Sequence, residues 1–183
     1  MITYCSCMLA QCLDCSVASG RHQCSRPQVP ILVGVVVLYS AASYWLVGMR
    51  PAASAFGMFT LILCLVVLTG FALSQLISAC VSTVERAIAV YMLLLVYSLL
   101  LGGFIVGPKS LPAAAKPLLY TSFYYWGFEA LCVNEFGGTA DGEQTLVDLG
   151  FVGVAVWHNV LILAGCVLVL RALAFVALWR TRY

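Results

Sequence analysis

The fold class predicted by this sequence is an all-α membrane protein, with four transmembrane helices and a re-entrant helical hairpin between the third and fourth. Three observations predict it. First, 63% of the 183 residues are hydrophobic and 9% are charged. A soluble domain carries roughly 25% charged residues, so lipid must be the solvent for most of this chain. Second, the apolar residues form four continuous runs long enough to cross a bilayer as helices. Third, the region between the last two runs stays apolar and aromatic although it is broken by prolines.

The runs are Pro30 to Gly48, Ser54 to Val81, Ala87 to Gly107 and Phe151 to Trp179. Each offers the roughly 20 residues that a helix needs to cross the hydrocarbon core. In lipid only helices and closed barrels satisfy their own backbone groups. The runs are continuous rather than alternating, which favours helices over barrel strands. Gly48 to Pro51, GMRP, reads as a tight turn, and Ser82 to Arg86, STVER, as a short polar turn with Thr83 as a candidate cap.

Four spans put both termini on one side. With that side cytoplasmic, the inner face carries Arg21, Arg26, Arg86, Arg171, Arg180 and Arg182, and the outer face Arg50, Lys109 and Lys116. This imbalance fits the positive-inside rule. The opposite orientation would need a cleaved signal peptide. Met1 to Gly20 has neither a basic start nor a sustained apolar stretch, so that reading is set aside. Arg171, in the last run, is expected to snorkel to the inner headgroups.

Between the third and fourth spans, Pro108, Pro112 and Pro117 make a straight continuation of the third helix improbable. Tyr120, Phe123, Tyr124, Tyr125, Trp126 and Phe128 follow. Such aromatics gather at the membrane interface. Residues 108–134 are therefore expected to re-enter the outer leaflet and turn back, and residues 135–150 to form an external acidic loop. An amphipathic helix lying flat on the surface is the alternative. Glu129 favours the re-entrant form, because a carboxylate at that depth needs protein around it. Asn134 and Glu135 would mark emergence into water.

Residues 1–28 hold Cys5, Cys7, Cys12, Cys15 and Cys24. Their spacing admits zinc ligation through thiolates or palmitoylation. A disordered leader with no shared function is the preferred reading, and no metal site is expected. His158 is read as a hydrogen-bonded packing residue rather than a proton relay. No nucleophile elbow, zinc-protease motif or paired acids on one helix face occur, so no catalytic residue is assigned. The net charge of +2 gives no basis for nucleic acid as a partner.

The ordered motifs resemble the transmembrane domain of G-subfamily (White-type) ABC transporters. They are YWLVGMRP from Tyr44 to Pro51, GGFIV from Gly102 to Val106, Leu111–Pro112, and TSFYYWGFEALCVNEFGG from Thr121 to Gly138. The resemblance runs from about Pro30 to Tyr183. STVERAIAV and GEQTL are similar to plant-type half-transporters. The resemblance implies that the four spans are the third to sixth helices of that domain. It makes Met92, Leu95, Val96 and Leu99 substrate-cavity residues and Phe104 and Ile105 the hydrophobic plug. Tyr124, Glu129, Asn134 and Glu135 become the re-entrant exit region. Glu85 and Arg86 become candidates for coupling to a nucleotide-binding domain, with an interfacial charge pair as the other reading.

No G-x-x-x-x-G-K-[ST] phosphate loop occurs in these residues, and their two lysines, Lys109 and Lys116, follow no glycine-rich loop. The chain is thus expected not to be an enzyme on its own. It corresponds to the C-terminal part of a transmembrane domain: a fragment, a truncated gene product, or a subunit that relies on a partner. The resemblance implies ATP and Mg bound in a missing or partner domain, a homo- or heterodimer surrounded by membrane lipid, and export of a lipid-like or hydrophobic substrate. It places the protein in the plasma membrane, with an organelle membrane as the alternative. The competing functional reading is a four-span scaffold or interaction protein without transport activity.

Overall fold

The apolar runs fold into helices whose ends fall where glycine or polar residues interrupt them. The computed structural model describes residues 28–50, 52–81, 83–103, 116–137, 140–151 and 155–182. These form seven helices and no strands: α1 Gln28–Val47, α2 Ala53–Cys80, α3 Val84–Leu100, α4 Lys116–Thr121, α5 Phe123–Phe136, α6 Ala140–Leu149 and α7 Val156–Arg182. Three of them contain segments long and apolar enough to cross a membrane: Val29–Val47, Ala53–Cys80 and Val156–Ala177. The residues of the cysteine leader up to position 27, and the expected plug residues Phe104 and Ile105, lie outside the described residues.

The helix α2 is the hub. It packs against α1, α3, α5 and α7. Its second half is enclosed accordingly, with Thr69, Gly70, Phe71, Ala72, Ser74, Ile77 and Ser78 all buried. By contrast, α1 has one buried stripe, Val36, Ser40 and Tyr44, spaced one turn apart. Ser40 shares a 3.0 Å hydrogen bond with Thr60 across to α2 and donates 2.9 Å back to Val37 O. Much of the rest of α1 is open, as Leu46 at 86% exposure shows. An apolar face so bare is stable only against lipid or another protein.

Within the third expected span, the described helix is shorter than the apolar run. It stops at Leu100, and Leu101 to Gly103 turn away. Its 17 residues rise about 25 Å, less than the roughly 30 Å hydrocarbon core. Glycine is the reason. Gly103 has φ +80°, a conformation that costs other residues energy. Thr83 occupies the N-cap position of α3, but its side chain makes no capping bond.

The segment expected as an external loop over 135–150 contains a helix. Phe136 still belongs to α5, and Ala140–Leu149 is a helix. Its acidic composition disguised it. Glu143 suits the first half of a helix, where negative charge complements the dipole. Leu146 then anchors α6, and a left-handed Gly150 delivers Phe151 into the buried cluster with Leu119, Tyr125 and Cys132. Phe151 N closes the turn on Leu146 O at 2.9 Å.

Arg171 stands over the ring of Phe71 on α2, with 5.5 Å from its guanidinium carbon to the ring centroid. This cation–π contact gives the arginine a protein partner inside the apolar segment where the sequence alone offered only the headgroups.

Candidate functional site

Most of the chain's unusual polar chemistry is gathered around α5. Its entry is set by Ser122, which breaks α4 from α5. Ser122 is fully buried, and its Oγ donates 2.7 Å to Ser98 O near the end of α3. That hydroxyl is spent on α3 and makes no N-cap bond to its own helix. Trp126 Nε1 donates 3.0 Å to Tyr120 O, folding α4 against α5. Ring contacts of 5.9 Å from Tyr125 and Phe128 to Phe151 fix the side facing α6.

The middle of α5 lies unusually close to α2. A Cβ on Gly127 would stand 2.4 Å from Val66 Cγ2. Gly102, beneath the start of α5, is less tight: its Cβ would meet Tyr124 Cβ at 3.2 Å. Two turns of sequence that read as aromatic and apolar therefore depend on glycine for their packing.

One residue pair after Gly127, Glu129 faces α7. It is 4% exposed and accepts a 3.0 Å hydrogen bond from Nδ2 of the fully buried Asn159. Its neighbour His158 is exposed and lies 6.3 Å, ring to ring, from Trp126. The partner of the buried carboxyl is thus a neutral amide and not the adjacent histidine.

The end of α5 is tied to the turn between α1 and α2. Asn134 Nδ2 donates 3.0 Å to Ala55 O. Arg50 donates twice, from its backbone N to Glu135 Oε1 at 2.8 Å and from Nη1 to Gly137 O at 2.6 Å. Tyr44 OH in turn donates to Arg50 O. Asn134 and Glu135, which read in sequence as the point of emergence, are half-buried and fasten α5 to the first helical hairpin. Replacing Glu135 by Ala leaves Arg50 N without this acceptor. It is expected to lower stability by about 1 kcal/mol in a detergent thermal-unfolding assay, and Arg50→Ala, which keeps that backbone bond, by a similar amount through loss of the Nη1 bond to Gly137 O.

The expected cavity residues divide between two faces of α3. Leu95 is buried and, with Leu99, lines a cavity of about 210 Å³ between α2, α3 and α5, next to Tyr124, Gly127 and Phe128. Met92 and Val96 point outward, 38% and 52% exposed. A second, larger apolar groove of about 510 Å³ runs between α2, α3 and α7, with Thr69, Ser98 and Thr121 among its few polar residues. Glu85 and Arg86 are exposed in the first turn of α3.

Sequence reasoning missed two partners. Asn159 carried a signal, since a polar residue inside an apolar span marks a buried pair. Arg50 carried none beyond its place in a turn, because its contacts lie 85 and 87 positions away.

Comparison with known proteins gives the family. Residues 27–136 match the ABC-2 type transporter family. ABC transporter G family member 8 of Arabidopsis thaliana is 25% identical over 169 residues, covering 83% of this chain and 29% of that protein. Protein white of Ceratitis capitata is 30% identical over 118 residues, 64% of this chain and 17% of its own length. ATP-binding cassette sub-family G member 5 of Rattus norvegicus is 32% identical over 123 residues, 65% of this chain and 19% of that protein. The chain thus spans less than a third of the length of these relatives. The match and the bare apolar helices make it an integral membrane protein. The chain belongs to the ABC-2 type transporter family and represents a transmembrane portion of the G-subfamily kind.

Proposed function

We propose that this chain is the membrane-spanning part of an ATP-driven exporter of lipid-like or hydrophobic molecules. The observation that carries the reading is the family match over residues 27–136, which includes the α3 face bearing Met92, Leu95, Val96 and Leu99. In this reading α3 is the third of four spans, and α4–α5 is the returning arm of a re-entrant hairpin. The packing of α5 on α2, α3 and α7, with a buried Glu129, supports that placement.

Two chains, or one chain and a related partner, meet across α3. Met92 and Val96 are open enough to face a shared cavity, while Leu95 and Leu99 connect it to the space under α5. Apolar walls suit a hydrophobic substrate. Phe104 and Ile105 form the plug, and Tyr124, Glu129, Asn134 and Glu135 the exit side. ATP and Mg are bound in a nucleotide-binding domain supplied by the rest of the protein or by a partner, with Glu85 and Arg86 at the coupling end. Both termini are cytoplasmic, and the plasma membrane is the site of action.

The test is efflux of a fluorescent lipid analogue from cells that express the chain together with a G-subfamily nucleotide-binding domain. ATP-dependent efflux is expected, and Val96→Asp should reduce it about tenfold or more without loss of membrane insertion. No ATP-dependent efflux from the wild-type pair would leave the chain as a membrane scaffold.

A further inference from the structure

Among the described residues, three buried side-chain polar atoms have no hydrogen-bond partner: Ser78 Oγ, Glu135 Oε2 and Asn159 Oδ1. The last is the most informative. Asn159 is fully enclosed, its Nδ2 is engaged by Glu129 Oε2 at 3.0 Å, and its oxygen is left without a donor. Glu129, 4% exposed, has this amide N–H as its hydrogen-bond partner. An ionised carboxylate accepts only, so it needs several donors and cannot satisfy the amide oxygen.

One proton removes both deficits. A carboxylic acid and a carboxamide carry matching donors and acceptors: the amide N–H meets the acid C=O, and the acid O–H meets the amide oxygen. Turning the amide over would set its oxygen against Oε2 instead, and that contact also needs a proton. We propose that Glu129 is a proton-binding site, kept as the neutral acid by its burial and paired in that form with Asn159, and that the acid–amide pair is a proton-sensitive latch between α5 and α7.

The apolar surroundings favour a neutral acid, whereas a protonated His158 would favour the carboxylate. The titratable groups that face Glu129 are His158 on α7 and, on α5 itself, Tyr125 and Cys132. Among the described residues, no charged group of α2, α3, α4 or α6 acts on it. The interface on the α2 side is built from Ile62, Leu65 and Val66 around Ala130 and Val160. An uncompensated charge in such a setting is costly, and neutralisation by a proton is the ordinary escape. When the proton leaves for bulk water, the amide oxygen loses its donor and a charge appears between the two helices. The α5–α7 contact then weakens. This inference stands on the helix packing and does not depend on what the chain transports.

The test is infrared spectroscopy of the whole chain in lipid nanodiscs, with glutamate labelled by ¹³C at the side-chain carboxyl. At neutral pH the wild type is expected to show the carbonyl band of a protonated glutamic acid. Glu129→Gln should abolish it, and raising the pH should convert it to carboxylate absorption. Absence of the band at neutral pH, or its survival in Glu129→Gln, overturns the proposal. Should Glu129→Gln fail to accumulate, Asn159→Ala takes its place. Loss of the acid–amide hydrogen bond must then shift the band to higher frequency, and an unmoved band overturns the latch.

Discussion

Gly127→Ala is expected to unseat α5 from α2 and lower stability by about 1–3 kcal/mol, the usual range for overpacking a tight interface. Two effects oppose each other here. Alanine is the better helix former by roughly 0.5–1 kcal/mol. Against that, the new Cβ would stand 2.4 Å from Val66 Cγ2. The clash wins because Val66 cannot give way cheaply: a β-branched side chain in a helix has one strongly preferred rotamer. The helices must separate instead, and the contacts around Ile62, Ala130 and Val160 separate with them. Val66→Ala removes the opposing methyl groups and costs about 1 kcal/mol alone. The double variant should recover most of the Gly127→Ala loss. Thermal unfolding in detergent, read by tryptophan fluorescence, measures all three. Simple addition of the two single losses would mean that this contact does not limit the packing of α5.

The reach of sequence reasoning follows from the kind of information each element carries. Continuous apolar runs announce helices directly, because lipid admits only helices and barrels and barrel strands alternate, and α1, α2 and α7 lie where those runs lie. Local composition fails where a tertiary contact supplies the missing stability. The acidic stretch after Thr139 looks like a solvated loop, yet Leu146 and Phe151 give it a buried side that settles it as α6. The stop at Leu100 lay inside an apolar run and was set by Gly102 and Gly103, whose role shows only once Tyr124 and Tyr125 are packed over them.

The region around α5 divides in the same way. A carboxylate in an aromatic run signals a buried environment, and Glu129 has one. Which residue answers it is a fact of three dimensions, since Asn159 lies 30 positions away and on another helix. The stripe Met92, Leu95, Val96 and Leu99 is contiguous on α3, but helical spacing does not say which edge of a stripe faces its own subunit. The structure turns Leu95 inward and Met92 and Val96 outward.

Asn159→Leu should be the second most damaging of these substitutions, and its cost should be strongly non-additive. It leaves Glu129 buried without this hydrogen-bond partner, a loss of about 1–3 kcal/mol for an unsatisfied buried polar group. Glu129→Leu alone strands the amide in the same manner. The double replacement removes both polar groups and fills the α5–α7 contact with hydrocarbon, which often restores or exceeds the original stability. Interhelical hydrogen bonds in membrane proteins couple by about 0.6 kcal/mol on average and up to about 1.7. A double-mutant cycle on Glu129 and Asn159 is expected near the upper value, because both residues are almost completely enclosed. Unfolding free energies of the four proteins in mixed micelles provide the cycle. A coupling indistinguishable from zero would show that α5 is held to α7 by its apolar contacts alone. A double variant that folds stably yet no longer responds to pH would separate what the pair does for stability from what it does as a proton site.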